Sequence, residues 1–332
     1  YTSLQKRDRR EDPRIAHHGR FLEVSNPEGE MEKAVETIIA EIHKALSSKE
    51  LVDFSQHDFD TVMHRGVNRT IERRLKGKTF MKGSEQRFYR AVKLRLVGRC
   101  YLQLNPQRKP RIVQLGNVIQ PYDSNGNHFT DDPSQKMYIC DAIVGGERFT
   151  IWAQVTPDGP YHLIFIPNID DKRAQVFEKR DILKALIIQR QYSKSKRLVI
   201  VGNSLGGLAS INHLHLQAIY YHHDVIPLDA SDRKFRKEIE GVKIFVLDNN
   251  DEVDNSSAVY PGREMFFEGE DIEKVAQVAY SYLNLLQNED IIHRFVVTKR
   301  GVYVLPFSRK SFEQWQNIFF DSMCGDLKVF RE

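Results

Sequence analysis

From Val92 onward the chain breaks into apolar or alternating runs of six to nine residues: "VKLRLVG", "CYLQLN", "RIVQLGNVI", "MYICDAIV", "RFTIWAQV" and "YHLIFIP". Pro, Gly, Asn and Asp separate them, so they read as strands of an antiparallel sheet rather than as helices. A helical segment follows from about residue 172 to 191, then the strand "RLVIVG", the turn "NSLGG" and a strand spelled "SINHLHLQA". After a charged connection from Asp229 to Gly241 the plan recurs as the strand "VKIFVLD", the loop "YPGREMFFEGE", a helix over about 271 to 287 and the strands "HRFVVT" and "VYVLPF". Strands, helix, strands, twice over, predict an α+β fold built from two similar halves.

The expected organisation is an N-terminal arm over 1–30, a first half over 31–230 and a second, degenerate half over 231–332. The arm has mixed charge and no period. Between Met31 and Leu46, Val35, Ile38, Ile39, Ile42 and Leu46 recur at helical spacing, which predicts an amphipathic scaffold helix.

No apolar stretch approaches the roughly 20 residues of a membrane span, and no charged start followed by an apolar run opens the chain. The expectation is a cytoplasmic protein away from membranes, with a removed leader left open because the chain opens on Tyr1. Cys100, Cys140 and Cys324 are odd in number and form no CxxC pair, which argues against a disulfide framework and a cysteine zinc site. The net charge of +4 does not imply nucleic-acid binding, although 13 basic residues against the single acid Glu85 between Arg73 and Arg111 would suit phosphates.

In a strand, alternate side chains share a face, so His213, His215 and Gln217 form a row while Leu214 and Leu216 enter the core. A zinc reading lacks placed third and fourth ligands, since His222, His223 and Asp224 lie on a segment the pattern does not position. Hydrogen-bonded histidines on a half-buried sheet are the bland alternative. Directly upstream, Asn203, Ser204 and Ser210 supply donors, and Gly206 and Gly207 let backbone N–H groups approach an anion. A neutral imidazole beside such a cradle can attack phosphorus and split one displacement into two.

"HLHLQ" resembles the His-φ-His-φ-Gln signature of the transferase branch of the histidine triad (HIT) superfamily, whose hydrolases carry a third His at the Gln position. "TPDGPYHLIFIP" resembles the upstream strand of that superfamily, with His162 as the matching histidine and Tyr161 where Gly is usual. The stretch "GNSLGGLASINHLHLQAIYY" is most similar to the GDP-hexose phosphorylases, and "CYLQLNPQRKPR", "NVIQPYDSNGNHFT", "FFEGE" and "VYVLPF" match in order.

That resemblance implies a HIT-like α+β fold of two tandem HIT-type halves with antiparallel sheets and flanking helices, similar to galactose-1-phosphate uridylyltransferase. It implies that His215 attacks the α-phosphorus of a GDP-hexose, releasing hexose 1-phosphate, and that inorganic phosphate then converts the His-GMP intermediate to GDP. His213 would orient the nucleophile, and Gln217 would hold a phosphoryl oxygen without acting as an acid. Asn203, Ser204, Gly206, Gly207, Ser210 and His162 would bind phosphate, with Asp123 and Asn125 as guanine-edge candidates. No metal and no cofactor is called for; relatives often form homodimers, and a homodimer stays open here. Two alternatives remain: another nucleotidyltransferase or dinucleoside polyphosphate phosphorylase of the same branch, and a non-catalytic module binding nucleotide or RNA through residues 73 to 111. The second is disfavoured because a pure binder has no need of a nucleophile.

Overall fold

The computed structural model describes residues 51–54, 57–76, 89–92, 100–103, 116–126, 128–129, 137–154, 161–206, 209–221, 226–247, 264–307, 318–321 and 326–330. The expected arm, the helix over 31–46, His222 and His223, and most of the basic stretch lie outside these residues.

The fold is mixed α and β around one large sheet. Its first run of strands is β1 (Leu51–Val52), β4 (Tyr138–Val144), β5 (Glu147–Ala153), β6 (Leu163–Pro167), β7 (Leu198–Asn203) and β8 (Leu216–Tyr220). The second run is β9 (Arg233–Ile239), β10 (Val242–Leu247), β11 (Met265–Glu268), β12 (Ile292–Val297) and β13 (Val302–Phe307). The eleven strands pair in the order β1-β4-β5-β6-β8-β7-β12-β13-β11-β10-β9, antiparallel except for the short parallel β1–β4 pair. Apart from β1, each run follows the same path: three meandering strands, a helix, then two strands whose second lies beside the third of the meander. The runs meet where β7 pairs with β12, and one buried cluster that includes Val201, Ile219, Phe266, Val296 and Tyr303 crosses that seam. A separate four-stranded sheet orders β14 (Ile318–Asp321), β15 (Asp326–Phe330), β3 (Cys100–Gln103) and β2 (Tyr89–Val92).

Four α-helices stand among the described residues: α1 (Phe59–Lys76), α2 (Lys179–Ile187), the single turn α3 (Pro227–Ala230) and α4 (Ile272–Asn288). Helix α4 starts where the Asp271 carboxylate accepts from the N–H groups of Glu273 and Lys274, satisfying two of the donors every helix start leaves bare. Phe177 N–H donates to Gln287 of α4 and its carbonyl accepts from the same amide, which ties the approach to α2 onto α4.

Three expectations are corrected. The helix expected from 172 begins only at Lys179 and ends in a π-helical turn over Ile188–Tyr192. Residues 173 to 175 stay out of the helix because Arg173 O accepts from Leu214 N (2.8 Å) and the Arg173 guanidinium holds Asp181 with two bonds of 2.9 Å. The charged connection after Asp229 is the edge strand β9, exposed along most of its length, which is why its sequence lacks an apolar period. Glu240 (φ 49°) and Gly241 (φ 82°) close its hairpin with β10, the paired left-handed residues that suit a two-residue turn. Finally, "RIVQLGNVI" was expected as a strand, and its described part, 116–119, is irregular: Val118 N–H donates to Asp290 rather than to a neighbouring strand.

Tyr161 also takes a left-handed backbone, φ 48°, two residues before β6 begins. A side chain there costs about 1–2 kcal/mol that glycine escapes. Its ring stacks on His64 (centroids 4.0 Å) and meets Tyr220 edge-on at 6.1 Å, contacts worth about 0.5–1.5 kcal/mol each. Strain and stacking therefore roughly cancel. Tyr161→Gly is expected to unfold within about 1 kcal/mol of the parent, and Tyr161→Ala, which keeps the strain and loses the ring, to be the less stable of the two. Urea titration of the three chains checks the order, and an alanine chain as stable as the glycine one would sink it.

Candidate active site

The row of His213, His215 and Gln217 is not all strand. Strand β8 begins at Leu216, so of the three only Gln217 lies in the ladder, opposite Val201 of β7 and Ile164 of β6. This corrects the expectation of one continuous strand. The reason is Gln175, which the sequence reading passed over: its side chain takes the place of a neighbouring strand. Its Oε1 accepts from His215 N (2.9 Å), and its Nε2 donates to the carbonyls of His215 (3.1 Å) and Asn203 (2.8 Å). One amide thus joins the end of β7 to the histidine segment. Asn212 adds a second clamp, its Oδ1 accepting from Gln175 N and its Nδ2 donating to Pro121 O.

The imidazoles are fixed by different partners. His215 Nδ1 lies 2.8 Å from the carbonyl oxygen of His213. A carbonyl only accepts, so Nδ1 carries the proton and Nε2 keeps its lone pair. Burial holds the His215 pKa down to about 4, against the smaller opposing pull of that carbonyl, so the ring is neutral at pH 7. His213 Nδ1 accepts from Phe129 N at 3.4 Å, which assigns its proton to Nε2. The Phe129 ring touches both imidazoles, with centroids 5.7 Å from His213 and 5.1 Å from His215. Tyr122 meets His213 edge-on at 5.5 Å. Tyr122 and Phe129 therefore cover the two imidazoles with aromatic surface.

Asn203 ends β7, buried, opposite Arg294 of β12. Ser204 joins the same seam: its N–H donates to His293 O and its Oγ accepts from His293 N, both at 3.0 Å. Its hydroxyl proton is not used in either bond. Gly206 has φ 76°, the left-handed backbone the tight turn before Ala209 demands, and Gly207 lies outside the described residues. Ser210 is exposed just beyond this turn.

The other candidates stand apart. Asp123 Oδ1 accepts from Asn125 N at 2.9 Å and Gly126 N donates to Asp123 O, so the pair forms an exposed turn of the covering loop. His162 precedes β6, in which Leu163 pairs with Ala218 and Phe165 with Leu216. Extending that register sets His162 level with Ile219, about 13 Å along the strand from the level of His215. Glu268 is half-buried at the end of β11, 3.7 Å from Arg300. Among the described residues no group of three or more His, Cys, Asp or Glu side chains is placed to hold a metal ion. No helix among them is long and apolar enough to cross a membrane.

A buried, neutral imidazole with its lone pair on one defined nitrogen is equipped for nucleophilic attack on an electrophile such as phosphorus. Residues 95–219, which contain the whole row and the turn, match the family model described as GDPGP1-like, N-terminal domain. The chain is 27% identical over 222 residues to GDP-L-galactose phosphorylase 2 of Arabidopsis thaliana, covering 60% of this chain and 49% of that protein. To GDP-L-galactose phosphorylase 1 of the same plant it is 25% identical over 219 residues, covering 60% and 47%. The chain thus spans about half the length of these relatives. These matches support the GDP-hexose phosphorylase family at modest identity. Among solved structures, yeast Ap4A phosphorylase Apa2 in complex with AMP aligns over 83% of this chain and 89% of its own, with a TM-score of 0.48 and 14% identity.

Three residues around this site were missed at the sequence level: Gln175, Arg294 and Phe129. Only Arg294 left a signal, as a charge inside the otherwise apolar strand "HRFVVT".

Proposed function

We propose that this chain is a nucleotidyltransferase, a GDP-hexose phosphorylase that turns a GDP-hexose and inorganic phosphate into GDP and hexose 1-phosphate. The observation that carries the reading is the His215 ring, neutral and with its proton held on Nδ1 by the His213 carbonyl. In the first step Nε2 donates its lone pair to the α-phosphorus. An N–P bond forms, the bond from that phosphorus to the bridging oxygen breaks, and hexose 1-phosphate leaves with the electron pair. In the second step a phosphate oxygen attacks the His-GMP phosphorus and returns the lone pair to Nε2, giving GDP.

Gln217 then hydrogen-bonds a non-bridging oxygen but has no acidic proton to lend to water, which favours transfer over hydrolysis. Asn203, Ser204, Ser210 and the amides of Gly206 and Gly207 stabilise the charge that grows on the phosphoryl oxygens. His162, Asp123 and Asn125 belong to the same proposal as outer contacts of the nucleotide, and no metal takes part. The two runs of strands are, in this reading, two HIT-type halves over 31–230 and 231–332, the second without a catalytic row, preceded by the arm over 1–30. Action in the cytoplasm and assembly as a homodimer complete the proposal. The family match of residues 95–219 supports the nucleotide class.

The test is incubation of the purified chain with GDP-glucose, GDP-mannose or GDP-L-galactose, with and without phosphate, and separation of the products by anion exchange. Phosphate-dependent GDP with hexose 1-phosphate is expected. GMP formed without phosphate would make it a hydrolase, and no turnover of any GDP-hexose would remove the donor assigned here.

A further inference from the structure

The second run of strands contributes a cation to the site. Arg294 of β12 is 1% exposed and stands opposite Asn203 in the β7–β12 register. Its Nε donates to Asn203 Oδ1 at 2.5 Å, and its guanidinium lies 5.7 Å from the centre of the Phe307 ring.

A guanidinium only donates, so the end of the Asn203 amide turned toward it must be the oxygen. The main-chain oxygen of Asn203 is held separately by Gln175. Neither bond uses the two Nδ2 donors. Strand β7 lies between β12 and β8, and Val201, two residues before Asn203, faces Gln217 of β8. Gln175 Nε2 bonds the main-chain oxygens of both Asn203 and His215, so the two residues are neighbours, and the amide end turned away from Arg294 is the one left for a group bound at His215. Without Arg294, nothing in these two bonds would distinguish the amide from its flipped form, which would aim an oxygen at an anion.

We propose that Arg294 is a positioning residue for nucleotidyl transfer: it locks the Asn203 amide with its N–H donors toward the phosphoryl group on His215. This rests on the phosphate-binding role given to Asn203 above. The charge acts through Asn203 and from the opposite run of strands, so the second run takes part in the chemistry even though it carries no histidine row.

The experiment is a double-mutant cycle with Arg294→Met and Asn203→Ala, plus Arg294→Lys, on the full chain. Single-turnover transfer from the GDP-hexose is measured together with KM and thermal midpoint. Arg294→Met and Asn203→Ala are each expected to slow transfer about 100-fold with KM changed less than about threefold, and the double variant to be no slower than the worse single one. Arg294→Lys, which still offers a donor to Oδ1, is expected to recover most of the rate. Losses that multiply in the double variant would overturn the proposal, as would a lowered thermal midpoint with an unchanged transfer rate. If the wild-type chain turns over no GDP-hexose, the donor reading has failed, and the same cycle is read from protection by inorganic phosphate against thermal unfolding. Non-additive loss of that protection supports the lock; additive loss, or no protection of the wild-type chain, overturns it.

Discussion

Replacing His215 by alanine is expected to lower nucleotidyl transfer by at least about a thousandfold, because no other group of the row offers a lone pair at that place. The same substitution is expected to change how stability depends on pH. Burial holds His215 down to about 4, and His293 likewise, whereas both rise to about 6.5 in the unfolded chain. Between those values the unfolded chain binds protons that the folded one does not. Stability is therefore fully present above about pH 6.5 and falls as pH drops toward 4, by about 3 kcal/mol for each histidine. The penalty stops growing once both states are protonated.

His215→Ala removes one of the two contributions. Its urea midpoint at pH 8 should be lower than the parent's, since a buried side chain is lost, and the gap should narrow or reverse at pH 5. A gap of the same size at both pH values would show that the ring is not held neutral. Retained transfer in the alanine chain would place the nucleophile elsewhere.

Gln175→Leu is expected to cost about 3–5 kcal/mol of stability. The leucine has similar volume, but it leaves His215 N–H and the carbonyls of His215 and Asn203 without the bonds of 2.8 to 3.1 Å that Gln175 makes, each worth about 1–3 kcal/mol when buried and unmet. Gln175→Glu separates donor from acceptor. It keeps an oxygen for His215 N–H, loses both donated bonds and buries a carboxylate, so its stability should fall further as pH rises through the raised pKa of that carboxylate. Equilibrium urea unfolding at several pH values reads both variants. A leucine chain within about 1 kcal/mol of the parent would mean that the histidine segment is held by its own packing and not by this amide.

Local pattern and tertiary context divide cleanly along this chain. The strand runs "MYICDAIV", "RLVIVG" and "VYVLPF" became β4, β7 and β13 because short, near-continuous apolar runs fit strands buried on both faces, and the helix over 272–288 follows from its period and the Asp271 cap. Strand β9 was illegible because an exposed edge strand has no reason to alternate. Gly206 could be read as a turn glycine from its sequence context, and its φ of 76° is what the turn needs.

The candidate site was legible as residue types and not as geometry. "HLHLQ" announces two imidazoles and an amide at two-residue spacing, and that much is fixed by local sequence. The proton on His215 Nδ1 was not, since it depends on a carbonyl two residues back taking a particular direction at a bend. Gln175 reaches the row from 40 residues away in the chain, and Arg294 reaches Asn203 from 91. No local period encodes such contacts, because they exist only once β7, β8 and β12 lie side by side and bring distant donors to the main chain and side chain of Asn203. The sequence by itself determined which elements form and which chemical groups are present; the tertiary structure decided which nitrogen keeps its lone pair, because hydrogen-bond direction in a buried place is set by whatever the folded chain puts opposite.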